Sequence, residues 1–219
     1  MGGEMDARDV RRAFAEAVRQ PEEALDLIDA SLLIAQEEYP DLERLRYFEL
    51  LDDLAETVRP LLSEESEPYA RVNLLSEYLF DDEKFRGNED DYYDPRNSFL
   101  NEVLDRRLGI PITLSIVYME VGDRLGMRIE GVGMPGHFLV KYVDEREEIV
   151  VDPYRRGIIL SPDDLRELLR SVTGQAIPVT VGELPVVTKK DILNRILNNI
   201  KGIYLSRKDY PHALAAVER

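Results

Sequence analysis

Few residues in this sequence could carry chemistry, because the 219-residue chain has no cysteine and only two histidines, His137 and His212. The lack of cysteine excludes disulfides, iron–sulfur clusters, thiolate zinc sites and a cysteine nucleophile. The two histidines lie too far apart in the sequence to form a zinc-binding motif. We therefore expect neither a metal nor a cofactor. The remaining candidate for a reactive group is a histidine that is hydrogen-bonded to a second side chain.

His137 and Asp152 are predicted to form a hydrogen-bonded pair. Each lies in a run that alternates at the strand period of two, and a charged turn separates the two runs. With Asp144 and Glu145 at the tip of a two-residue hairpin, the pair is directly opposed on one face of the sheet. A carboxylate bound to one imidazole nitrogen fixes the tautomer and orients the ring, as the third member of a catalytic triad does.

A nucleophile for this pair would have to be a hydroxyl. Pro111 suits the first turn of a helix, whose free N–H groups could stabilise an oxyanion. Thr113 lies in that turn and Ser115 follows it, so Thr113, His137 and Asp152 are the candidate catalytic residues. The alternatives stay open: His137 and Asp152 as a structural pair, the Thr113 hydroxyl bonded within its own turn, and Ser115 as an ordinary helix residue.

The elements that position these residues divide the chain into three parts. Residues 1–85 carry four apolar stripes at helical spacing and are predicted to form a helical subdomain without strands. Residues 86–187 hold the helix from Pro111, a small antiparallel sheet and a further strand at 177–181. Residues 188–219 are predicted to form two helices. This order indicates an α+β architecture.

A proline and a glycine predict where two helices begin and end. Pro21 is predicted to open the second helix, because proline is favoured in the first turn. Gly109 is predicted to close the helix that contains Leu100 and Leu104, as a left-handed C-cap.

Four segments of the chain resemble the bacterial SirB-type transglutaminase-like family. They are residues 97–100 (Asn-Ser-Phe-Leu), 108–115 (Leu-Gly-Ile-Pro-Ile-Thr-Leu-Ser), 135–140 (Pro-Gly-His-Phe-Leu-Val) and 151–154 (Val-Asp-Pro-Tyr). Their order, a helix N-terminus followed by a strand histidine and a strand aspartate, is that of Cys, His and Asp in the papain-like transglutaminase fold. The resemblance implies a helical N-terminal domain, a papain/transglutaminase-like core and tetratricopeptide repeats.

The sequence departs from transglutaminase enzymes at the nucleophile. By the resemblance, the catalytic cysteine would fall near residues 111–113, where this chain has Pro, Ile and Thr. The resemblance therefore implies that the ancestral chemistry has been lost, with Thr113, His137 and Asp152 left as degenerate triad positions. A hydroxyl has a much higher pKa than a thiol and needs a well-placed base to react.

The C-terminal residues fit part of one tetratricopeptide repeat. The matching positions are Leu197, Ile200, Tyr204, Asp209, Tyr210 and Ala213. Lys201 and Lys208 replace the usual glycines. Because one repeat spans about 34 residues, we expect either a longer native chain or a partial repeat that docks on the core.

The net charge of the chain limits which macromolecules it is expected to bind. The chain has 28 basic and 44 acidic side chains, a net charge of −16, which repels nucleic acid and anionic lipids and suits basic partner segments. The acidic residues between 81 and 91 lack an ordered calcium-binding spacing, which favours a solvated loop. Tyr92, Tyr93 and Tyr154 could line a groove or simply pack, and His212 is expected at the surface. Without a long apolar run or a signal peptide, a cytoplasmic location is expected.

Two classes of function remain. The first is a non-catalytic transglutaminase-like protein that acts as a protein- or peptide-binding, regulatory module. The second is a hydrolase or acyltransferase that uses Thr113 or Ser115 with His137 and Asp152. The position of a hydroxyl relative to the imidazole distinguishes them.

Overall fold

The computed structural model describes residues 6–62, 67–174 and 180–219. Within these ranges the α-helices are α1 (Ala7–Val18), α2 (Leu27–Gln36), α3 (Arg44–Val58), α4 (Pro68–Glu77), α5 (Leu100–Arg106), α6 (Pro111–Arg124), α7 (Pro162–Thr173), α8 (Lys189–Ser206) and α9 (Tyr210–Val217). The strands are β1 (Arg86–Gly87), β2 (Leu108–Gly109), β3 (Ile129–Met134), β4 (His137–Val143), β5 (Glu148–Asp152) and β6 (Ile158–Leu160). The mixture of helices and antiparallel strands is the α+β architecture that the sequence predicts.

The N-terminal part is helical, as predicted. Between residues 7 and 80, the described ranges contain helices and turns but no strand. The predicted start of the second helix at Pro21 is wrong, because α2 begins at Leu27. The Asp26 carboxylate accepts the N–H of Asp29 at 2.9 Å and so caps the helix, whereas the residues after Pro21 form a separate turn.

The predicted C-cap at Gly109 is also wrong. The C-cap of α5 is Arg107, which adopts the left-handed conformation with φ of +59°. Gly109 instead pairs with Gly87 where β1 meets β2 in parallel. A Cβ atom at Gly109 would lie 2.8 Å from the Thr113 hydroxyl, so this glycine is required by a close approach.

The sheet that carries the predicted pair has four antiparallel strands in the order β3-β4-β5-β6. The two predicted strands are β4 and β5, while β3 and β6 were not predicted. Pro135 and Gly136 form the tight β3–β4 turn, with φ of +67° at Gly136, and this dipeptide is the turn signal that could have revealed β3. Most of the strand predicted at 177–181 lies outside the described residues, and Val181 begins a short 3₁₀ turn.

The β4–β5 hairpin turns one residue later than predicted. The N–H of Asp144 donates to the carbonyl of Glu147 at 3.1 Å, so Glu145 and Arg146 are the central residues of the turn. The Asp144 carboxylate fixes this position, because it accepts the N–H groups of Arg146 and Glu147 at 2.7 and 2.9 Å.

This later turn changes the predicted register by two residues. Lys141 pairs with Val150, so His137 and Asp152 are diagonal neighbours instead of directly opposed ones. A two-residue change keeps every side chain on its predicted face, because the side-chain period of a strand is two. The pair therefore stays on one side of the sheet.

One hydrophobic core runs through the three predicted parts of the chain. It joins α1 to α6, one face of the sheet, α8 and α9, while a second cluster on the other face is covered by α7. The domain boundaries 1–85, 86–187 and 188–219 stay a prediction. No helix in the described ranges is both long and apolar enough to span a membrane.

The C-terminal residues form a helical hairpin that docks on this core. The capping box at Thr188 and Asp191 opens α8, as its spacing predicts. α8 packs on α2, on α6 and on the 3₁₀ turn Pro95–Ser98, and α9 packs back along α8. The hairpin therefore forms one wall beside the sheet.

Candidate functional site

The His137–Asp152 hydrogen bond is confirmed. His137 Nε2 lies 2.8 Å from Asp152 Oδ2, and the carboxylate is completely buried. Because a carboxylate can only accept, Nε2 carries the proton and Nδ1 of the neutral ring becomes a hydrogen-bond acceptor. Nδ1 has no hydrogen-bond partner in the described part of the chain.

Two further bonds orient the Asp152 carboxylate. Its Oδ1 accepts the backbone N–H groups of Tyr154 and Arg155 at 3.1 and 3.3 Å, because Asp152 is the N-cap of the 3₁₀ turn Pro153–Arg155. The Arg155 guanidinium also lies 3.7 Å from Oδ2. One aspartate therefore ends β5, starts the next turn and holds the imidazole.

Thr113 lies in the first turn of α6, as predicted, but its hydroxyl is bonded to the backbone. Oγ1 donates to the carbonyl of Asn97 at 2.8 Å and accepts the N–H of Ile110 at 3.1 Å. The Ser115 hydroxyl is fully buried and has no partner among the described residues. The structure thus brings His137 and Asp152 together and leaves both candidate hydroxyls outside the pair.

An open cleft of about 660 Å³ adjoins His137. Its walls come from the start of α6, the β3–β4 turn, Tyr92 and one side of α8. From α6 and the residue before it, the lining residues are Ile110, Pro111 and Ile112. This part of the wall, near which the sequence resemblance would locate a catalytic cysteine, is therefore apolar.

Arg195 is a site residue that sequence reasoning missed. Its Nη2 donates to the carbonyls of Met134 and His137 at 2.6 and 2.5 Å, and its guanidinium carbon lies 5.4 Å from the centre of the Phe138 ring. It has no carboxylate partner among the described residues, and burial lowers its pKa from the ordinary value. Its position depends on how α8 docks, which no local pattern in the sequence indicates.

Three tyrosines extend the site from the imidazole. The Tyr154 ring meets His137 edge to face at 6.2 Å between centres, and Tyr92 meets Tyr154 in the same way at 6.1 Å. Burial raises the pKa of Tyr92 and Tyr154. Tyr93 contacts Tyr92 at 5.3 Å and is largely exposed. Of the three tyrosines Tyr92 lines the cleft, while Tyr154 packs between Tyr92 and the imidazole.

Asn97 holds the acidic segment in place. Its side-chain amide donates to the carbonyls of Asp91 and Tyr92 at 2.8 and 3.2 Å and accepts from the Asn88 side chain at 3.0 Å. Asn97 thus connects the Thr113 hydroxyl to the loop that carries Tyr92.

The described residues contain no metal-binding cluster. No group of three His, Asp or Glu side chains arranged to hold a metal ion lies among them.

Comparison with known proteins assigns the chain to a family. Residues 46–198 match the transglutaminase-like superfamily. The chain belongs to this superfamily. It is also 37% identical over 201 residues to a UPF0162 protein of Xylella fastidiosa, a match that covers 90% of this chain and 72% of that protein. The chain therefore belongs to the UPF0162 proteins as well.

Two further relatives match 90% and 59% of the chain. A UPF0162 protein of Vibrio cholerae is 28% identical over 199 residues, which cover 90% of this chain and 73% of that protein. F-box only protein 21 of Mus musculus is 33% identical over 137 residues, which are 59% of this chain and 21% of that protein. No solved structure matches the chain. The transglutaminase-like part of the resemblance is confirmed, while the SirB-type and tetratricopeptide assignments stay predictions.

Proposed function

We propose that this transglutaminase-like protein binds a peptide or a segment of a partner protein in the His137 cleft and does not catalyse a reaction on it. The observation that carries the proposal is the wall beside the imidazole. Ile110, Pro111 and Ile112 line the cleft there, while the Thr113 hydroxyl is committed to the Asn97 carbonyl. Without a nucleophile, the His137–Asp152 pair is a fixed hydrogen-bonding group.

The cleft offers groups of the kind that a peptide backbone needs. His137 Nδ1 can accept a hydrogen bond, and Arg195 is a half-buried cation without a carboxylate partner among the described residues. Asn194 and Asn198, whose amides both donate and accept, add to the α8 wall. A peptide bond presents one donor and one acceptor, so this mixture suits an extended chain.

The outer edge of β3, which pairs with residues 186–187 along part of its length, supports the same occupant. The carbonyl of Gly131 faces away from β4, because it accepts the N–H of Val187 at 3.0 Å. Backbone groups two residues apart point to the same edge, so those of Gly133 also face outward, and Gly133 lines the cleft. An extended peptide could continue the pairing that Val187 begins.

One of the relatives supports an interaction role. In the mouse relative the matched residues make up 21% of the length, so a related sequence occurs there as one part of a much larger protein. We further propose that the α8–α9 hairpin is a tetratricopeptide-like element that extends the binding surface, that the SirB-type assignment holds, and that the protein is cytoplasmic.

Installing a thiol tests whether a nucleophile is what the His137 cleft lacks. Ile112→Cys gives a chain with one cysteine, at the start of α6 and in the wall of the cleft that His137 also lines. We expect iodoacetamide at pH 6 to alkylate this variant about tenfold faster than the Ile112→Cys/His137→Ala double variant, since an imidazole that can accept the thiol proton and a helix N-terminus favour the thiolate.

The unaltered chain provides the opposite arm of this test. A serine-reactive fluorophosphonate should label the wild type no more than it labels His137→Ala. Labelling of Thr113 or Ser115 that disappears in His137→Ala would refute the non-catalytic proposal and favour the hydrolase or acyltransferase.

Binding is tested with a phage-displayed random peptide library selected on the wild-type protein. Selected peptides should bind Arg195→Ala at least about tenfold more weakly, since charge-assisted hydrogen bonds contribute about 1.5–3 kcal/mol each. Arg170→Ala on α7 is the matched control, because Arg170 is exposed and lies outside the cleft. Peptides that ignore Arg195, in a variant that stays folded by circular dichroism, would contradict the assigned cleft.

A further inference from the structure

A second cleft, of about 530 Å³, concentrates positive charge in a chain whose net charge is −16. Every polar residue that lines it is a cation, and two phenylalanines complete the wall. The lining residues are Phe80, Lys84, Phe85, Arg86, Arg106, Arg107 and Arg156. This basic cleft shares no lining residue with the His137 cleft. The cleft is lined by basic and not acidic side chains, whereas the chain as a whole has more acidic than basic ones, and this difference requires a separate explanation.

Two of the cations have no carboxylate partner. The Arg86 guanidinium makes no hydrogen bond or ion pair with any described residue, and the Lys84 ammonium donates only to the backbone carbonyl of Asp81. Arg107 and Arg156, in contrast, are paired with Glu83 and Asp81. The cleft therefore has two positive charges that no described carboxylate neutralises.

Arg106 has a hydrogen-bond donor without an acceptor in the described part of the chain. Its Nη2 bonds to the Asn97 side chain at 3.3 Å, but its buried Nη1 has no hydrogen-bond partner among the described residues. The nearest carboxylates lie at 3.7 Å from Nη2, on Asp94, and at 3.9 Å from Nη1, on Glu102. Asp94 is bonded more closely to Arg96, at 2.7 Å. No described carboxylate oxygen therefore lies within hydrogen-bond distance of Arg106, which adds a third weakly compensated positive charge to the wall of the cleft.

The backbone places three of these cations where glycine would be the better residue for folding. Lys84, Arg107 and Arg156 have φ of +62°, +59° and +59°, and they are three of the four non-glycine left-handed residues in the described chain. Side chains in this conformation carry a steric penalty that glycine avoids. Lys84 and Arg107 gain from a bond to a helix-end carbonyl, but Arg156 pairs only with an exposed aspartate.

We propose that the basic cleft binds the phosphate monoester group of a ligand. A phosphate monoester is a dianion near neutral pH, which matches the two uncompensated charges of Lys84 and Arg86. Its several oxygens can accept from ammonium and guanidinium donors together, whereas a carboxylate offers one negative charge and two oxygens. Phe85 fixes the geometry, because it is buried between Lys84 and Arg86 in the sequence and its ring packs 4.6 Å from the Arg107 guanidinium.

Isothermal titration calorimetry with the full chain tests the proposal. The probes are inorganic phosphate, phenyl phosphate, benzoate and a phosphoserine peptide, each at constant ionic strength. Arg86→Ala and Lys84→Gly should each weaken binding of a phosphate probe by about tenfold or more, as expected for a lost charge-assisted bond. Both variants should fold, because Arg86 is unpaired and glycine suits the backbone at residue 84.

Lys208→Gly is the matched control. Lys208 is the fourth non-glycine left-handed residue, and the change removes the same charge from an exposed position between α8 and α9. Its phosphate affinity should stay within about twofold of the wild type, because an exposed charge that does not touch the ligand is largely screened by salt.

The probes also distinguish the source of the group. Binding of phenyl phosphate or inorganic phosphate alone would assign the cleft to small phosphate esters, and binding of only the peptide would assign it to a phosphorylated side chain. The proposal is overturned if no phosphate probe saturates the wild type, if benzoate binds as tightly as phenyl phosphate, or if all four proteins bind equally.

Discussion

Replacing Asp152 with alanine should destabilise the fold by removing one buried acceptor that serves three donors. The carboxylate accepts from His137 Nε2 at 2.8 Å and from the N–H groups of Tyr154 and Arg155 at 3.1 and 3.3 Å. Asp152→Ala leaves all three donors without this partner. A buried donor that loses its acceptor costs more than the bond contributed, because the group cannot return to water.

The expected loss follows from the number of bonds. Three bonds at about 1 kcal/mol each, with the added cost of an unpaired buried imidazole, give a decrease of about 3–5 kcal/mol in the free energy of unfolding. For a chain of this length, 1 kcal/mol lowers the melting temperature by about 2–4 °C. We therefore expect Asp152→Ala to melt about 6–20 °C below the wild type.

Asp152→Asn separates the backbone cap from the imidazole bond. The amide oxygen can still accept from Tyr154 and Arg155, so the loss should be about 1–2 kcal/mol. The amide nitrogen would instead donate to His137 Nε2, which moves the imidazole proton to Nδ1.

Calorimetry measures the melting temperatures, and ¹⁵N NMR of the imidazole measures the tautomer. The reasoning fails if Asp152→Ala melts within about 2 °C of the wild type, or if the tautomer of His137 is the same in Asp152→Asn.

Two further predictions concern stability away from the cleft. Gly157→Ala should lower the free energy of unfolding, measured in urea, by about 2–4 kcal/mol, because φ is +70° and the new Cβ would lie 2.6 Å from the Ser76 hydroxyl. Gly126→Ala is the control, with the same φ and no atom within 4 Å of the new Cβ, and should lower it by only about 1 kcal/mol. The hydrogen bond to Asp209 raises the pKa of His212, so this contact stabilises the fold below the unfolded pKa and is lost as pH rises through the folded value. His212→Gln should therefore lower the melting temperature more at pH 5.5 than at pH 8, and an equal decrease at both would contradict this.

The sequence predicted the His137–Asp152 pair although it gave the wrong register. The turn at Asp144 falls one residue later than expected, because its carboxylate bonds the two following N–H groups. Since side chains alternate along a strand, a two-residue change in pairing preserved the shared face. The predicted shared face was therefore confirmed, whereas the predicted direct opposition of the two residues was wrong.

Helix ends were predicted less well, because they depend on competition between local groups. Gly109 has the residue type of a C-cap, yet it is needed where the backbone approaches Thr113, and Arg107 takes the left-handed position. Pro21 has the residue type of a helix start, yet the Asp26 carboxylate provides the stronger cap for α2. Residue type alone does not decide which of two nearby candidates is used.

The sequence by itself determined which reactive groups are available. It has no thiol, and His137 and Asp152 occupy strand positions that share one face of the sheet. Only the tertiary structure decided what surrounds them. The Thr113 hydroxyl bonds to the carbonyl of Asn97, and Arg195 reaches the β3–β4 turn from α8. Periodicity describes which side of an element is apolar, but the elements that meet are chosen by packing between residues distant in the chain.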